Sequence, residues 1–527
     1  MSAVDTDKKD TSHKLLKSSA VVGVMTMLSR VLGLIRDNVF FRYIGADSGA
    51  DAFFLAFKIP NFLRRLFAEG AFAQAFVPVL SEYKEQGSKA AVKELIDRVA
   101  GCLGSSLLLV TFLMVIGAPA VTFIFAFGYW DNPEQFALTS DFIRWTAPYL
   151  FLISMTGFAG AILNSHGYFS VPAFTPVLLN VVLILAAVIV SPLIDPPALA
   201  LAWGVLCAGF VQFVFQIPYL KKLQLMPSPK MDWHHPGVKK ILTLMVPALF
   251  GVSVSQINLT IDTVLATLLP TGSVSWLYFS DRLSELPLGV FGIAIATVIL
   301  PSLSRHSSAE DPKQFALTLD WAVRMIFVLG VPAAVALFIL AEPILLTLFQ
   351  YGKATVHDIQ MSSYSLKAYS IGLLAFMLIK ILASGFFSRQ DMKTPVKIGV
   401  IAMVVNMVLN AVFVWFFMQK EVGHVGLALA TSVSASLNAF LLFMTLRRQQ
   451  VYEYGTGWLR FVISLAVSTT LMVVVLQILL GFWSDWAIWG WFERSCYLAF
   501  ICIAGLVVYV SGLLMSGMRL RHFRAPH

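Results

Sequence analysis

The sequence predicts an all-α integral membrane protein of 14 transmembrane helices, built as two parallel six-helix repeats followed by two more C-terminal helices. Three observations predict it: a composition too apolar for water, an alternation of basic and non-basic loops, and short motifs that recur at a nearly constant offset. Of 527 residues, 58% are hydrophobic and only 13% charged, about half the charge of an average soluble protein. After residue 18 no polar stretch is long enough for a folded soluble domain. The net charge of +9 would suggest nucleic acid in a soluble protein. In a membrane chain it comes from the Lys/Arg bias of cytoplasmic loops, and no nucleic-acid partner is expected.

Residues 1–18 are polar and basic, with Lys8, Lys9, Lys14 and Lys17. The apolar run that follows is interrupted by Arg30 and lacks a small-residue cleavage site, which predicts an uncleaved first helix behind a cytoplasmic extension. Runs long enough to cross about 30 Å of hydrocarbon fall at 19–45, 51–83, 98–127, 140–164, 172–191, 197–219, 240–268, 272–303, 315–341, 360–388, 395–418, 425–446, 459–482 and 494–516. The second and eighth are over-long and carry Pro60 and Pro287 near their middles, so a kink or break is expected in each.

Loop charge supports an even number of crossings with both termini cytoplasmic. One set of loops holds Lys84, Lys89 and Lys93, then Lys221, Lys222, Lys230, Lys239 and Lys240, then Arg305 and Lys313, Arg389 and Lys393, and Arg447 and Arg448. The tail adds Arg519, Arg521 and Arg524, whereas the alternate loops hold little beyond Lys353 and Lys420. The loop 482–492 (FWSDWAIWGWF) reads as an aromatic belt on the outer face. Cys102, Cys207, Cys496 and Cys502 lie in apolar runs and are expected to be buried free thiols.

The chain repeats itself. Gly167-Tyr168-Phe169-Ser170 with Thr175-Pro176 recurs as Gly385-Phe386-Phe387-Ser388 with Thr394-Pro395. Leu199-Ala200-Leu201-Ala202 recurs as Leu427-Ala428-Leu429-Ala430, Pro78-Val79-Leu80-Ser81 as Pro301-Ser302-Leu303-Ser304, and Ser29 with Asp37 as Ser255 with Asp262. Each match is weak alone, but all keep the same order and offsets of 218–228 residues. Six spans per repeat give both halves the same orientation, which is a transporter architecture with the substrate site expected between the halves. The predicted organisation is 1–18 extension, 19–219 first lobe, 220–239 cytoplasmic linker, 240–448 second lobe, and 449–527 two extra helices with a cytoplasmic tail.

Arginines inside the apolar runs carry the chemistry. A charge at mid-bilayer costs roughly 2.5–3.5 kcal/mol, so it persists only where it meets water, a partner or a ligand. Arg30 sits at the midpoint of the first helix, and Arg36 lies about 8 Å further along and about 120° round it. Snorkelling accounts for Arg42 near the helix end but not for Arg30; Arg36 has the alternative of an internal pair with Asp37. The second run supplies Asp51, Lys58, Arg64, Arg65 and Glu69, and helix geometry leaves open which of Arg64 and Arg65 faces a cavity and which pairs with Glu69. The eighth gives Asp281, Arg282 and Glu285, where Arg282 and Glu285 are spaced for an i,i+3 pair. Lys380 is a further cation with no local carboxylate. Many cations and few free carboxylates suit an acidic or pyrophosphate-bearing substrate, since guanidinium groups take phosphate in a two-point grip. A cavity for cationic drugs would show the opposite balance.

Asp262, Asn406, Asn410 and Thr431 are hard oxygen donors in the second half and could hold a monovalent cation such as Na⁺. The alternative is that Asn406 and Asn410 make interhelical hydrogen bonds. Enzyme motifs are missing: Gly352-Lys353 lacks the upstream glycine of a phosphate-binding loop, and His234-His235 lacks metal-ligand spacing. No catalytic activity and no cofactor are expected.

The stretch Met27-Leu28-Ser29-Arg30-Val31-Leu32-Gly33-Leu34-Ile35-Arg36-Asp37 resembles the MurJ/MviN family of lipid II flippases. So do Asp51-Ala52-Phe53-Phe54, the block from Pro60 through Arg64-Arg65 to Phe72, Phe349-Gln350-Tyr351-Gly352-Lys353, and Ser388-Arg389-Gln390-Asp391 with Lys393-Thr394-Pro395. The likeness runs over nearly the whole chain and looks closest to gammaproteobacterial members. It implies a fourteen-helix member of the multidrug/oligosaccharidyl-lipid/polysaccharide exporter superfamily in the bacterial inner membrane, functional as a monomer among membrane lipids. Its substrate would be undecaprenyl-pyrophosphate-linked GlcNAc–MurNAc-pentapeptide, carried to the periplasmic leaflet for peptidoglycan synthesis. The family's cavity positions match Arg30, Arg36, Asp51, Arg64 and Arg282, with Asp37, Lys58, Arg65, Glu69, Asp281, Glu285 and Lys380 as secondary cavity or gate candidates. The last two helices are implied to form a groove for the lipid tail, and coupling to Na⁺ or protons is possible. Two alternatives share the architecture: a flippase of another undecaprenyl-linked glycan and a cation-coupled drug exporter. The N-terminal extension looks longer than is usual for the family.

Overall fold

A computed structural model describes residues 3–65, 72–308, 311–419, 421–482 and 486–518. The described residues are helical almost throughout and contain no strand. Helix starts are set by local chemistry. Ser88, Asn132 and Asp311 each accept a hydrogen bond from a backbone amide in the first turn that follows, and Pro133 and Pro312 occupy first-turn positions where no amide is needed.

Two compact units are present, Met1–Thr271 and Gly272–His527. The first contains α1 (Ala3–Tyr43), α2 (Ser48–Leu63), α3 (Phe72–Gln86), α4 (Lys89–Ile116), α5 (Ala118–Phe125), α6 (Pro133–Ser165), α7 (Ser170–Leu185), α8 (Leu199–Lys222) and α9 (Pro236–Ala266). The second contains α10 (Ser273–Pro287), α11 (Ile293–Ser308), α12 (Pro312–Ile339), α13 (Ala341–Phe349), α14 (Val356–Phe387), α15 (Lys393–Met418), α16 (Gly423–Arg448), α17 (Trp458–Phe482) and α18 (Trp491–Met515). Helix falls on every expected apolar run, and among the described residues ten helices are long and apolar enough to cross a membrane.

In the second over-long run the described residues carry α2 to Leu63 and α3 from Phe72, and residues 66–71 lie outside them. Pro60 has no N–H for the carbonyl of Ala56, and that carbonyl instead accepts the Thr146 hydroxyl of α6 at 3.2 Å. The eighth becomes α10 and α11, joined by a π-helical turn at Leu288–Gly292 directly after Pro287.

The internal repeat reappears as a repeated packing scheme. In the first unit the fourth expected span, α6, is the most enclosed and packs on α2, α4 and α8. In the second unit its counterpart α14 packs on α10, α12 and α16. The α14–α16 contact is a small-residue interface: a Cβ on Gly372 would lie 2.6 Å from Ser432 Oγ, and that hydroxyl donates to the Ala368 carbonyl at 2.7 Å. Packing and repeat boundaries differ, because α9, the first span of the second repeat, packs on α3, α4 and α5 within the first unit.

The segment between α8 and α9 is pinned to the start of α4. Asp97, buried, accepts from the Ser228 amide at 2.7 Å, its backbone carbonyl takes the Lys230 amide at 3.0 Å, and Arg98 pairs with Asp232 at 3.4 Å. Gly101 permits the close approach, since a Cβ there would stand 2.3 Å from the Lys230 carbonyl oxygen.

All four cysteines are free, but only Cys102 is buried; Cys207, Cys496 and Cys502 are exposed. The expectation of four buried thiols is therefore corrected. An apolar helix in a bilayer has outward faces as apolar as its inward ones, so composition cannot tell them apart.

Candidate substrate-binding site

In the first unit the cations of α1 divide by environment. Arg30 is half-buried and has no ion-pair or hydrogen-bond partner among the described residues. Arg36 is buried at 5% exposure. Its Nη2 lies 2.7 Å from Asp37 Oδ1, its Nη1 donates to Asn180 Oδ1 at 3.0 Å, and its guanidinium stands 5.4 Å from the Phe40 ring centre. Asn180, on α7, donates in turn from Nδ2 to the Ser29 carbonyl at 2.9 Å. A Cβ at Gly33 would make only an ordinary 3.8 Å contact with that amide. The internal Arg36–Asp37 pair foreseen as an alternative is thus formed, and Asn180 extends it into a clasp between α1 and α7.

On α2, Asp51 is 2% exposed in the first turn. Lys58 bonds through Nζ to the Thr263 hydroxyl of α9. These two side chains help line a cleft with Leu55, Phe62, Phe125 and Thr260. Arg64 is half-buried and donates from Nε to Asn61 Oδ1 at 3.3 Å. Arg65 is exposed, and Glu69 lies outside the described residues. Burial therefore separates the two neighbouring arginines where helix geometry alone left them equal.

In the second unit Arg282 pairs with Glu285 at 3.0 Å, and its guanidinium lies 5.4 Å from the Tyr278 ring centre. Both partners keep access to solvent, at 36% and 45% side-chain exposure, so a competing anion can reach the guanidinium. Asp281 is half-buried one residue before it. Lys380 is exposed and has no ion pair among the described residues. Asn406 donates to Thr431 Oγ1 at 3.4 Å and Ser434 Oγ at 3.2 Å, and Asn410 donates to Asn406 Oδ1 at 2.8 Å. The two Asn406 bonds join α15 to α16, while Asp262 is half-buried on α9 in the first unit. Among the described residues no three His, Cys, Asp or Glu side chains are grouped to hold a metal.

Three polar centres were not singled out from the sequence. Asn180 is a lone amide in the run Thr175–Leu185, a signal that was available. Asp320, 5% exposed, and Arg494, 4% exposed, sit near helix ends, where a charge ordinarily snorkels and raises no question.

The comparisons with known proteins agree with one another. The family profile described as lipid II flippase MurJ matches residues 40–496. A probable lipid II flippase MurJ of Vibrio cholerae serotype O1 is 50% identical over 521 residues, covering 98% of each chain. A solved lipid II flippase MurJ in an inward closed conformation superposes with a TM-score of 0.79 at 25% identity, covering 94% of this chain and 98% of that one. An inward-facing multidrug resistance MATE family transporter of the MOP superfamily shares the fold alone, with a TM-score of 0.64 at 15% identity over 82% of this chain.

Proposed function

The chain belongs to the MurJ family, and from that premise we propose that it is a lipid II flippase, turning undecaprenyl-pyrophosphate-linked GlcNAc–MurNAc-pentapeptide from the cytoplasmic to the periplasmic leaflet by alternating access. It is a multi-pass inner membrane protein of a transporter family. The observation that carries the reading is Arg30, a half-buried guanidinium at mid-helix with no partner among the described residues. A cation left in that position needs an anion, and a pyrophosphate supplies one in the two-point geometry a guanidinium takes.

In this reading Arg30, Arg64 and Arg282 are the candidate cations for the substrate phosphates. Glu285 holds Arg282 until the phosphate displaces it. Arg36, its charge balanced by Asp37, fixes α1 through its clasp with Asp37 and Asn180, and Asp51 and Lys58 shape the polar surface of α2. The undecaprenyl tail stays in lipid along α17 and α18. The protein acts as a monomer without catalysing a covalent change, with both termini in the cytoplasm. Its cycle is reset by membrane potential, worth about 2.3 kcal/mol per charge per 100 mV, or by Na⁺ or a proton. A Na⁺ ion would draw on hard oxygens such as those of Asn406, Asn410 and Thr431 within the second unit.

Depleting the protein from cells and probing which leaflet holds lipid II tests this function. The prediction is accumulation in the cytoplasmic leaflet. Normal arrival at the periplasmic face would overturn it.

A further inference from the structure

The last two helices have no counterpart in the repeat, and apolar helices in lipid gain nothing from the hydrophobic effect by staying together. What holds α17 and α18 in the second unit is polar, and it is concentrated at both ends of α12–α13.

At one end Asp320 of α12 accepts from the Tyr452 hydroxyl at 2.7 Å and from Trp458 Nε1 at 2.8 Å, both on the approach to α17. Arg324 closes the group, with Nε 2.9 Å from Asp320 Oδ2, Nη2 donating to the Thr456 carbonyl at 3.0 Å, and its guanidinium 5.1 Å from the Trp458 ring centre. Burial, together with the Asp320 carboxylate, holds the Tyr452 phenol far above its ordinary pKa, so the hydroxyl stays a donor. Midway, the Tyr509 hydroxyl of α18 donates to the Val328 carbonyl at 2.7 Å.

At the other end Arg494 of α18 is buried, yet its bonds go to carbonyls: Nη1 to Leu346 at 2.8 Å and Nη2 to Ala487 at 2.9 Å. Leu346 lies in the last turn of α13, where its carbonyl takes only a long 3.4 Å bond from the Gln350 amide and the helix end carries negative partial charge. The guanidinium also stands 5.6 Å from the Tyr351 ring centre, and Tyr351 is anchored by its own hydroxyl to the Thr347 carbonyl at 2.8 Å. The motif Phe349–Lys353, which the basic cavity leaves unused, is in this way the socket for Arg494.

We propose that Arg494 and Asp320 are positioning residues that fasten α17 and α18 to the second unit at both ends, so that the helices along which the polyprenyl tail runs move as one body with that unit. The proposal rests on the flippase reading for its consequence but not for its geometry. A buried guanidinium and a buried carboxylate are costly unless compensated; Arg494 has two carbonyl acceptors, and Asp320 has two donors and the Arg324 ion pair. Their placement at opposite ends of one helical segment is what a rigid attachment requires. Loosening either should impair handling of the long tail and spare recognition of the headgroup.

The test uses the full-length protein in proteoliposomes, with wild type, Arg494→Gln and Tyr452→Phe. Arg494→Gln is expected to lower translocation of substrate carrying the native-length tail about tenfold and to leave binding of the same headgroup on a short tail unchanged. Tyr452→Phe is expected to show the same split at smaller amplitude. Equal loss of both, or loss of neither, overturns the proposal. If the wild type translocates nothing, the flippase reading fails, and the fastening is read independently by spin labels on Cys502 and Val408→Cys with Cys207 and Cys496 replaced by serine. A narrow distance distribution that broadens in Arg494→Gln and Tyr452→Phe supports the fastening; unchanged distributions overturn it.

Discussion

Arg30 and Arg36 occupy the same helix and differ in what surrounds them, which gives their substitutions opposite signatures. Arg36→Ala removes the ion-pair partner of the Asp37 carboxylate, 3% exposed; removing one partner of a buried pair costs about 3–5 kcal/mol, so thermal unfolding of the purified variant should shift down. Asn180→Ala removes one arm of the same clasp and should cost about 1–3 kcal/mol. Arg30→Ala breaks no pair among the described residues, so it should keep expression and melting temperature while failing to support growth in a complementation assay; Arg42→Ala should do neither harm. A destabilised Arg30 variant would mean the side chain is structural. The sequence sufficed to mark Arg30, because a charge at mid-span has no bland explanation. It did not suffice for Arg36, whose fate depends on Asn180, a residue 144 positions away that only the fold brings beside it. The choice between Arg64 and Arg65 was likewise open on helical angle and came first from resemblance, then from burial.

At the scale of elements, the apolar runs, the split of the eighth, and the repeat were readable because each has a local cause: length, a proline without an amide, or a recurring motif. The placement of α9 was not, since packing partners are decided by the far surfaces of other helices. The same limit hid the docking of the α8–α9 connection on α4. Gly101 makes that docking testable. Gly101→Val would press a side chain into the Lys230 backbone, displacing the connection from Asp97 and Arg98. Faster proteolytic cleavage between residues 226 and 235, with a lower melting temperature, is expected; an unchanged cleavage rate would show that the contact is dispensable. The extra helices α17 and α18 were set apart by the repeat, but their attachment through Asp320 and Arg494 needed the structure, because charges near helix ends look ordinary in sequence.

Across the whole molecule, the balance of charge separates an anion carrier from a cation exporter. Arg30, Arg64, Arg282 and Lys380 lie on membrane helices with few carboxylates free to offset them, and the family membership fits that sign. Loop charge predicts both termini on the cytoplasmic side, which cysteine labelling of the two ends in intact and permeabilised cells would check; labelling of either end in intact cells contradicts it. Replacing Na⁺ by choline at constant membrane potential should slow transport if Na⁺ is the coupling ion, and no change would remove that assignment. The most direct test of the central claim is translocation of lipid II by the purified protein in proteoliposomes, comparing wild type with Arg30→Ala at equal reconstitution. The account predicts transport by the wild type and at least a hundredfold slower transport, with weakened lipid II binding, by the variant. Transport by Arg30→Ala at the wild-type rate would contradict it.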